Sequence, residues 1–215
     1  VIKSSQSPID AVVFDWGGVI TVPPSPVIDR LYRDARVDKK KLKDRQDQYR
    51  EEDSKSHFAR LERGELILSE YLAWSRNDLP GAELIWDPSS PFFLFPQLEV
   101  VPEVVERIVE LRARGFATGL LTNNIAEAWP VVADGLALDE LFDVVVNSAF
   151  VGMRKPEHRI YMHTVDQLGV SADRVLFLDD NRTNVEAAIA CGLHTIEVKQ
   201  PVSALETLER RLESV

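Results

Sequence analysis

Seven polar positions in this 215-residue chain are placed so that they could act together. Asp15 follows the apolar run Ala11-Val-Val-Phe14 and is followed by Trp16-Gly17-Gly18. Thr122 and Asn123 end the stretch ATGLLTN. Lys155 stands in GMRKP, and Asp179-Asp180 close the run Val175-Leu-Phe-Leu178. Asn184 lies just beyond, at the start of a helical pattern. If the apolar runs are parallel strands, their carboxyl tips meet at one edge of a sheet, where α/β folds bind ligands.

Such a cluster has a definite chemistry. Asp15 and Asp180 can hold one hard cation between them. Magnesium is the natural choice, because it keeps several waters and takes one or two carboxylates plus a phosphate. The backbone carbonyl of Gly17 is a further candidate ligand. The Asp15 carboxylate can also attack phosphorus and form an aspartyl-phosphate. Amides around Trp16 and Gly17 can bind phosphoryl oxygens, and Thr122 and Asn123 can donate hydrogen bonds to them. Lys155 can neutralise the remaining charge and hold Asp15 ionised. Phosphoryl transfer asks mainly for this positioning and neutralisation. The expected partner is a small phosphorylated metabolite.

The elements that must position these groups are legible. The runs beginning at Ala11, Ala117, Val144, Val175 and Thr195 read as buried strands, since parallel strands covered on both faces are continuously apolar. Helical patterns lie between them, from Pro102 to Gly115, Glu157 to Gly169 and Asn184 to Gly192, with Ser203 as a cap for a last helix. Strand-helix alternation implies an α/β fold with a doubly wound, Rossmann-like parallel sheet. Residues 29–65 differ, with 22 charged side chains in 37 positions, and eight of the 12 prolines lie on either side of that stretch, marking out a wider segment, 22–98. That segment reads as helical, with Ser69 able to cap one of its helices. The expected organisation is therefore a core of residues 1–21 and 99–215 and a small α-helical cap domain, residues 22–98, inserted after the first strand.

FDWGGV, LLTNN, GMRKPEHRIY and LFLDDNRTNVEAA, in that order, resemble the four motifs of the haloacid dehalogenase (HAD) superfamily, which is mostly phosphatases. The chain looks most like the subfamily that contains the amino-terminal phosphatase domain of soluble epoxide hydrolase and the glucose-1-phosphate phosphatases. Its members carry a helical cap between the first two motifs. The resemblance implies Asp15 as nucleophile, Thr122 as phosphate binder, Lys155 as charge stabiliser and Asp15 with Asp180 as magnesium ligands. It places Asp179 and Asn184 behind these groups in support.

One position departs from the pattern. Phosphatases of this superfamily usually carry a second aspartate two residues after the nucleophile, as the acid for the leaving group. Here that position is Gly17, and such help is worth ~10²–10⁴ in rate. Two other readings therefore stand beside the phosphatase, a binding or regulatory module with no turnover and a haloacid dehalogenase of the same fold; a phosphomutase is a weaker option, because it too leans on the missing acid.

Composition excludes other classes. With 25 basic and 35 acidic residues the net charge is −10, a poor match for nucleic acid or an anionic membrane. Cys191 is the single cysteine, so neither an internal disulfide nor a cysteine metal cluster is expected, and a cytoplasmic setting fits. No apolar run approaches the ~18 residues of a membrane span. The opening VIKSSQSPID has no apolar segment of a secretory leader. His57, His158, His163 and His194 show no metal-ligand spacing, Lys39–Lys43 reads as a solvated helix face, and Trp74, Trp86, Phe92, Phe93 and Phe95 read as packing.

Overall fold

In the computed structural model, residues 9–51, 56–134 and 136–213 are described, and the opening stretch considered above falls almost wholly outside them. Five strands form one sheet: β1 (Ala11–Phe14), β2 (Ala117–Thr122), β3 (Val144–Asn147), β4 (Val175–Asp179) and β5 (His194–Glu197), in the order β3-β2-β1-β4-β5. Every pairing is parallel.

Side chains alternate across the central strand. Val12 and Phe14 pack on one face, under α5 (Pro102–Ala113) and α11 (Pro201–Glu213). Ala11 and Val13 pack on the other, under α9 (His158–Leu168) and α10 (Arg182–Ala190). Both faces are buried, which is why the strands read as unbroken apolar runs. The sheet is the doubly wound α/β layer expected.

Between β1 and α5 the described chain is mostly helical: α1 (Pro24–Asp34), α2 (Lys39–Glu51), α3 (His57–Glu62) and α4 (Leu68–Asp78). Its ends lie side by side. Val22 N–H donates to Glu99 O at 2.9 Å, and Val101 N–H to Ile20 O at 2.8 Å. Lys39, Lys40, Lys41 and Lys43 of α2 are exposed, as a solvated face should be.

Three helix starts differ from the sequence reading. α4 begins at Leu68, so Ser69 lies inside it, and the Glu70 carboxylate accepts from Ile67 N–H instead. α11 begins at Pro201 rather than after Ser203, as suits a proline at the first helical position. α10 begins at Arg182, capped by Asn181, whose side chain accepts from Thr183 N–H. Asn184 is thereby freed from capping. The short helices α6 (Trp129–Asp134), α7 (Leu138–Leu141) and α8 (Ser148–Val151) carry too few residues to show a period in the sequence.

Candidate active site

Strand register builds the site. Phe14 pairs with Leu120 on one side and Leu178 on the other. One step further, Asp15 leaves β1 beside Asp179, its N–H donating to Leu178 O at 2.9 Å. Thr122 is the buried last residue of β2. The segment after α8 brings Lys155 in from the side of β3.

Lys155 is 1 % exposed, and its ammonium has three acceptors: Asp15 Oδ1 at 2.8 Å, Asp179 Oδ2 at 2.7 Å and Leu121 O at 3.0 Å. That matches the three donors of an ammonium. The charge also lies 5.4 Å from the centre of the Phe177 ring. Asp179 is fully buried and held from other directions too. It accepts from Asn181 N–H at 2.8 Å and from Asn184 Nδ2, 3.1 Å from each carboxylate oxygen. Asn184 is anchored in turn, its carbonyl accepting from Tyr161 Oη at 3.0 Å.

Asp15, Asp179 and Asp180 each offer a carboxylate oxygen within 4.8 Å of the others. Among the described residues this is the one such group of potential metal ligands, and no histidine belongs to it. Burial pushes the Asp15 carboxyl up to about 7, with Lys155 pulling it down and Asp179 and Asp180 pushing it further up. Asp180 is pushed to about 6, by burial first and Asp179 second. For Lys155 burial opposes the charge, but Asp15 and Asp179 outweigh it, and the ammonium is held above its ordinary value. One ammonium thus serves three carboxyls. A second positive charge would favour the ionised forms of Asp15 and Asp180 at neutral pH, and a hard divalent cation on oxygen ligands can supply it.

The loop after Asp15 is shaped for close approach. Trp16–Ile20 form a wide turn closed by Thr21 N–H on Trp16 O at 3.1 Å. Asp15 Oδ1 accepts from Trp16 N–H at 2.7 Å, which orients the carboxylate. Gly18 has φ +74, and a Cβ there would lie 2.4 Å from Asp180 Oδ2. Only glycine permits both that backbone and that neighbour. Trp16 is both core and wall, packing with the β1 cluster and lining the cavity described below.

Asn123 has a role that the sequence reading missed. Its Nδ2 donates to Lys155 O at 2.9 Å, and its Oδ1 accepts from Lys155 N–H at 2.8 Å. The side chain grips the Lys155 backbone from both ends. The side chain thereby positions the lysine.

The site opens into a cavity of about 660 Å³ that continues beneath the helical segment. Trp74, Trp86 and Phe95 line it, against the expectation of pure packing, whereas Phe92 and Phe93 do not. Two ion pairs tie the helical segment to the Lys155 loop, Glu62 with Arg154 at 2.7 Å and Arg63 with Glu157 at 3.1 Å. Gly64 sits so close that a Cβ would be 2.4 Å from Ala149 O. Among the described residues no helix is long and apolar enough to cross a membrane.

Residues 9–192 match the family model of the haloacid dehalogenase-like hydrolases. Among curated proteins, bifunctional epoxide hydrolase 2 of Rattus norvegicus is 34% identical over 111 residues, covering 50% of this chain and 20% of that protein. Phosphatase MT3486 of Mycobacterium tuberculosis is 33% identical over 115 residues, covering 53% of each. The matches thus span about half of these relatives' length or less. A HAD-family enzyme of Bacteroides thetaiotaomicron, crystallised as a magnesium complex, superposes with a TM-score of 0.65 at 18% identity, over 93% of this chain and 98% of that one. At that identity the likeness speaks for the fold alone.

Proposed function

The chain belongs to the haloacid dehalogenase-like hydrolases, and on that premise we propose that it is a magnesium-dependent phosphatase of a small phosphorylated metabolite. The observation that carries this reading is the buried ammonium of Lys155, shared by Asp15 and Asp179, with Asp180 beside them. A dehalogenase needs no metal, whereas three carboxyls around one ammonium leave a deficit of positive charge. The likeness to a mycobacterial phosphatase supports the same reading, as does the magnesium in the Bacteroides structure.

The residues fit the ion. Asp15 and Asp180, with the carbonyl of Gly17, would hold magnesium, while Asp179 and Asn184 support the site from behind. When bound, the ion neutralises phosphoryl oxygens and the carboxylates. Asp15 Oδ1 accepts from Trp16 N–H and Lys155, which fixes the carboxylate so that one oxygen would face the ion and the other attack phosphorus. The P–O bond to the alcohol breaks as the bond to Asp15 forms. Thr122 and the amides near Trp16 and Gly17 bind the phosphoryl oxygens. Lys155 stabilises the developing charge, and Asn123 holds Lys155 in place. Water then attacks phosphorus, releasing phosphate and restoring the carboxylate. Residues 22–98 act in this reading as a cap that shapes the cavity.

The leaving alkoxide needs a proton that Gly17 lacks. One observation favours a second reading, a pocket that binds but turns over slowly. A Cβ on Gly17 would stand 3.0 Å from Pro24 Cγ, so the first turn of α1 crowds the place of the usual acid. The test is phosphate release from an aryl phosphate, whose good leaving group needs little protonation. Magnesium-dependent release that disappears in Asp15→Asn supports the phosphatase. Release that survives Asp15→Asn removes Asp15 as nucleophile. No release from wild type leaves the binding reading.

A further inference from the structure

The far end of the cavity names a substrate class, resting on the phosphatase reading of its near end. We infer that the alcohol carried by the phosphate is an extended apolar group, aliphatic or aromatic, and not a sugar. Beyond Asp15 the cavity is walled by Tyr32, Phe58, Tyr71, Trp74, Trp86 and Phe95. Five of these rings touch in an unbroken chain. Trp74 meets Tyr71 at 5.7 Å, Tyr71 meets Phe58 at 5.7 Å, Phe58 meets Trp86 at 4.5 Å and Trp86 meets Phe95 at 6.4 Å between centroids. Tilted contacts of this kind lock ring orientation. The chamber is therefore preformed, and at about 660 Å³ it far exceeds what a phosphate group fills.

Several polar groups on this wall are paired within the protein. Arg45 pairs with Asp78 at 3.2 Å and lies 4.2 Å from the centre of the Trp74 ring. Ser56 Oγ caps α3, accepting from Ala59 N–H at 3.0 Å. Glu62 is held by Arg154. A sugar entering here would give up water around several hydroxyls and find these partners already engaged, a costly exchange. An alkyl or aryl group gives up only unfavourable hydration and gains contact with the rings.

The test uses wild-type protein with magnesium and a series of n-alkyl phosphates from ethyl to octyl, beside glucose 6-phosphate. In parallel, binding of the matching alkylphosphonates, which cannot be hydrolysed, is measured calorimetrically. The expected result is a rise in kcat/KM of about threefold per methylene until the chamber fills. Octyl phosphate should exceed glucose 6-phosphate by about a hundredfold or more. Phosphonate affinity should rise with chain length in the same way. Trp86→Ala should cut the octyl-to-ethyl ratio by about tenfold, and Phe58→Leu is the milder variant should Trp86→Ala fail to fold. A flat chain-length series, or glucose 6-phosphate turned over as well as octyl phosphate, overturns the inference. If no ester of this series is hydrolysed, the aryl phosphate decides the phosphatase reading separately. Phosphonate binding then decides alone, and octylphosphonate binding no tighter than ethylphosphonate overturns the inference.

Discussion

Pro24 Cγ crowds the space beside Gly17, where a Cβ would be only 3.0 Å away. The missing acid and the start of α1 are therefore linked. Restoring the acid by Gly17→Asp alone should raise hydrolysis of an alkyl phosphate little, because Pro24 must move first. Gly17→Asp combined with Pro24→Ala should raise it by about a hundredfold, the lower range of general acid help. Steady-state phosphate release checks this, and equal rates for wild type and double variant would show that proton donation is not the limiting defect.

Gly18 and Asp180 are similarly coupled. Gly18→Ala places a methyl at positive φ and against the Asp180 carboxylate. Strain at that φ costs about 1 kcal/mol, and the displaced carboxylate should weaken apparent magnesium affinity by about tenfold or more. Activity titrated with magnesium reads the second effect, and thermal unfolding without metal reads the first.

Removing Lys155 should be felt by the whole fold. Lys155→Ala leaves Asp15 and Asp179 buried without their shared cation, and breaking a buried pair in this way costs about 3–5 kcal/mol. Lys155→Arg should not rescue, because three acceptors converge on a compact ammonium. Urea unfolding at neutral pH distinguishes this from a purely catalytic role, in which stability would hold while activity falls.

The carboxyl shifts fix a pH dependence. Asp15 and Asp180 carry folded pKa values of about 7 and about 6 against an ordinary 3.8. Above 3.8 the unfolded chain gives up these protons first. Without metal, their contribution therefore favours the fold most at low pH, is lost as pH rises through about 6 and about 7, and levels off beyond. Magnesium takes the place of those protons. The magnesium-induced rise in Tm should be slight at about pH 5 and reach its plateau above about pH 7. A rise that is independent of pH would place the ion elsewhere.

Much of this arrangement is legible in the sequence because strand tips are marked by a change from apolar to polar. Phe14-Asp15, Leu121-Thr122 and Leu178-Asp179 each carry that step, and the parallel register turns three distant steps into one cluster. The mutual geometry is not written there. Nothing in the sequence LTNN says that the Asn123 amide will clasp the Lys155 backbone, 32 positions away. Trp74, Trp86 and Phe95 read as packing in the sequence, and only the tertiary fold leaves an open space beside them. Pro24 is one of the prolines that mark out the helical segment, and its closeness to Gly17 appears only once α1 is folded back on the turn.

The central claim is that Asp15 takes the phosphoryl group onto its own carboxylate. Acid quenching during turnover of an aryl phosphate with magnesium, followed by peptide mapping by mass spectrometry, tests it most directly. A phosphoryl adduct on the peptide that carries Asp15, absent with chelator and absent in Asp15→Asn, is the predicted result. Phosphate released at full rate with no adduct on that peptide, or an adduct that persists in Asp15→Asn, would contradict it.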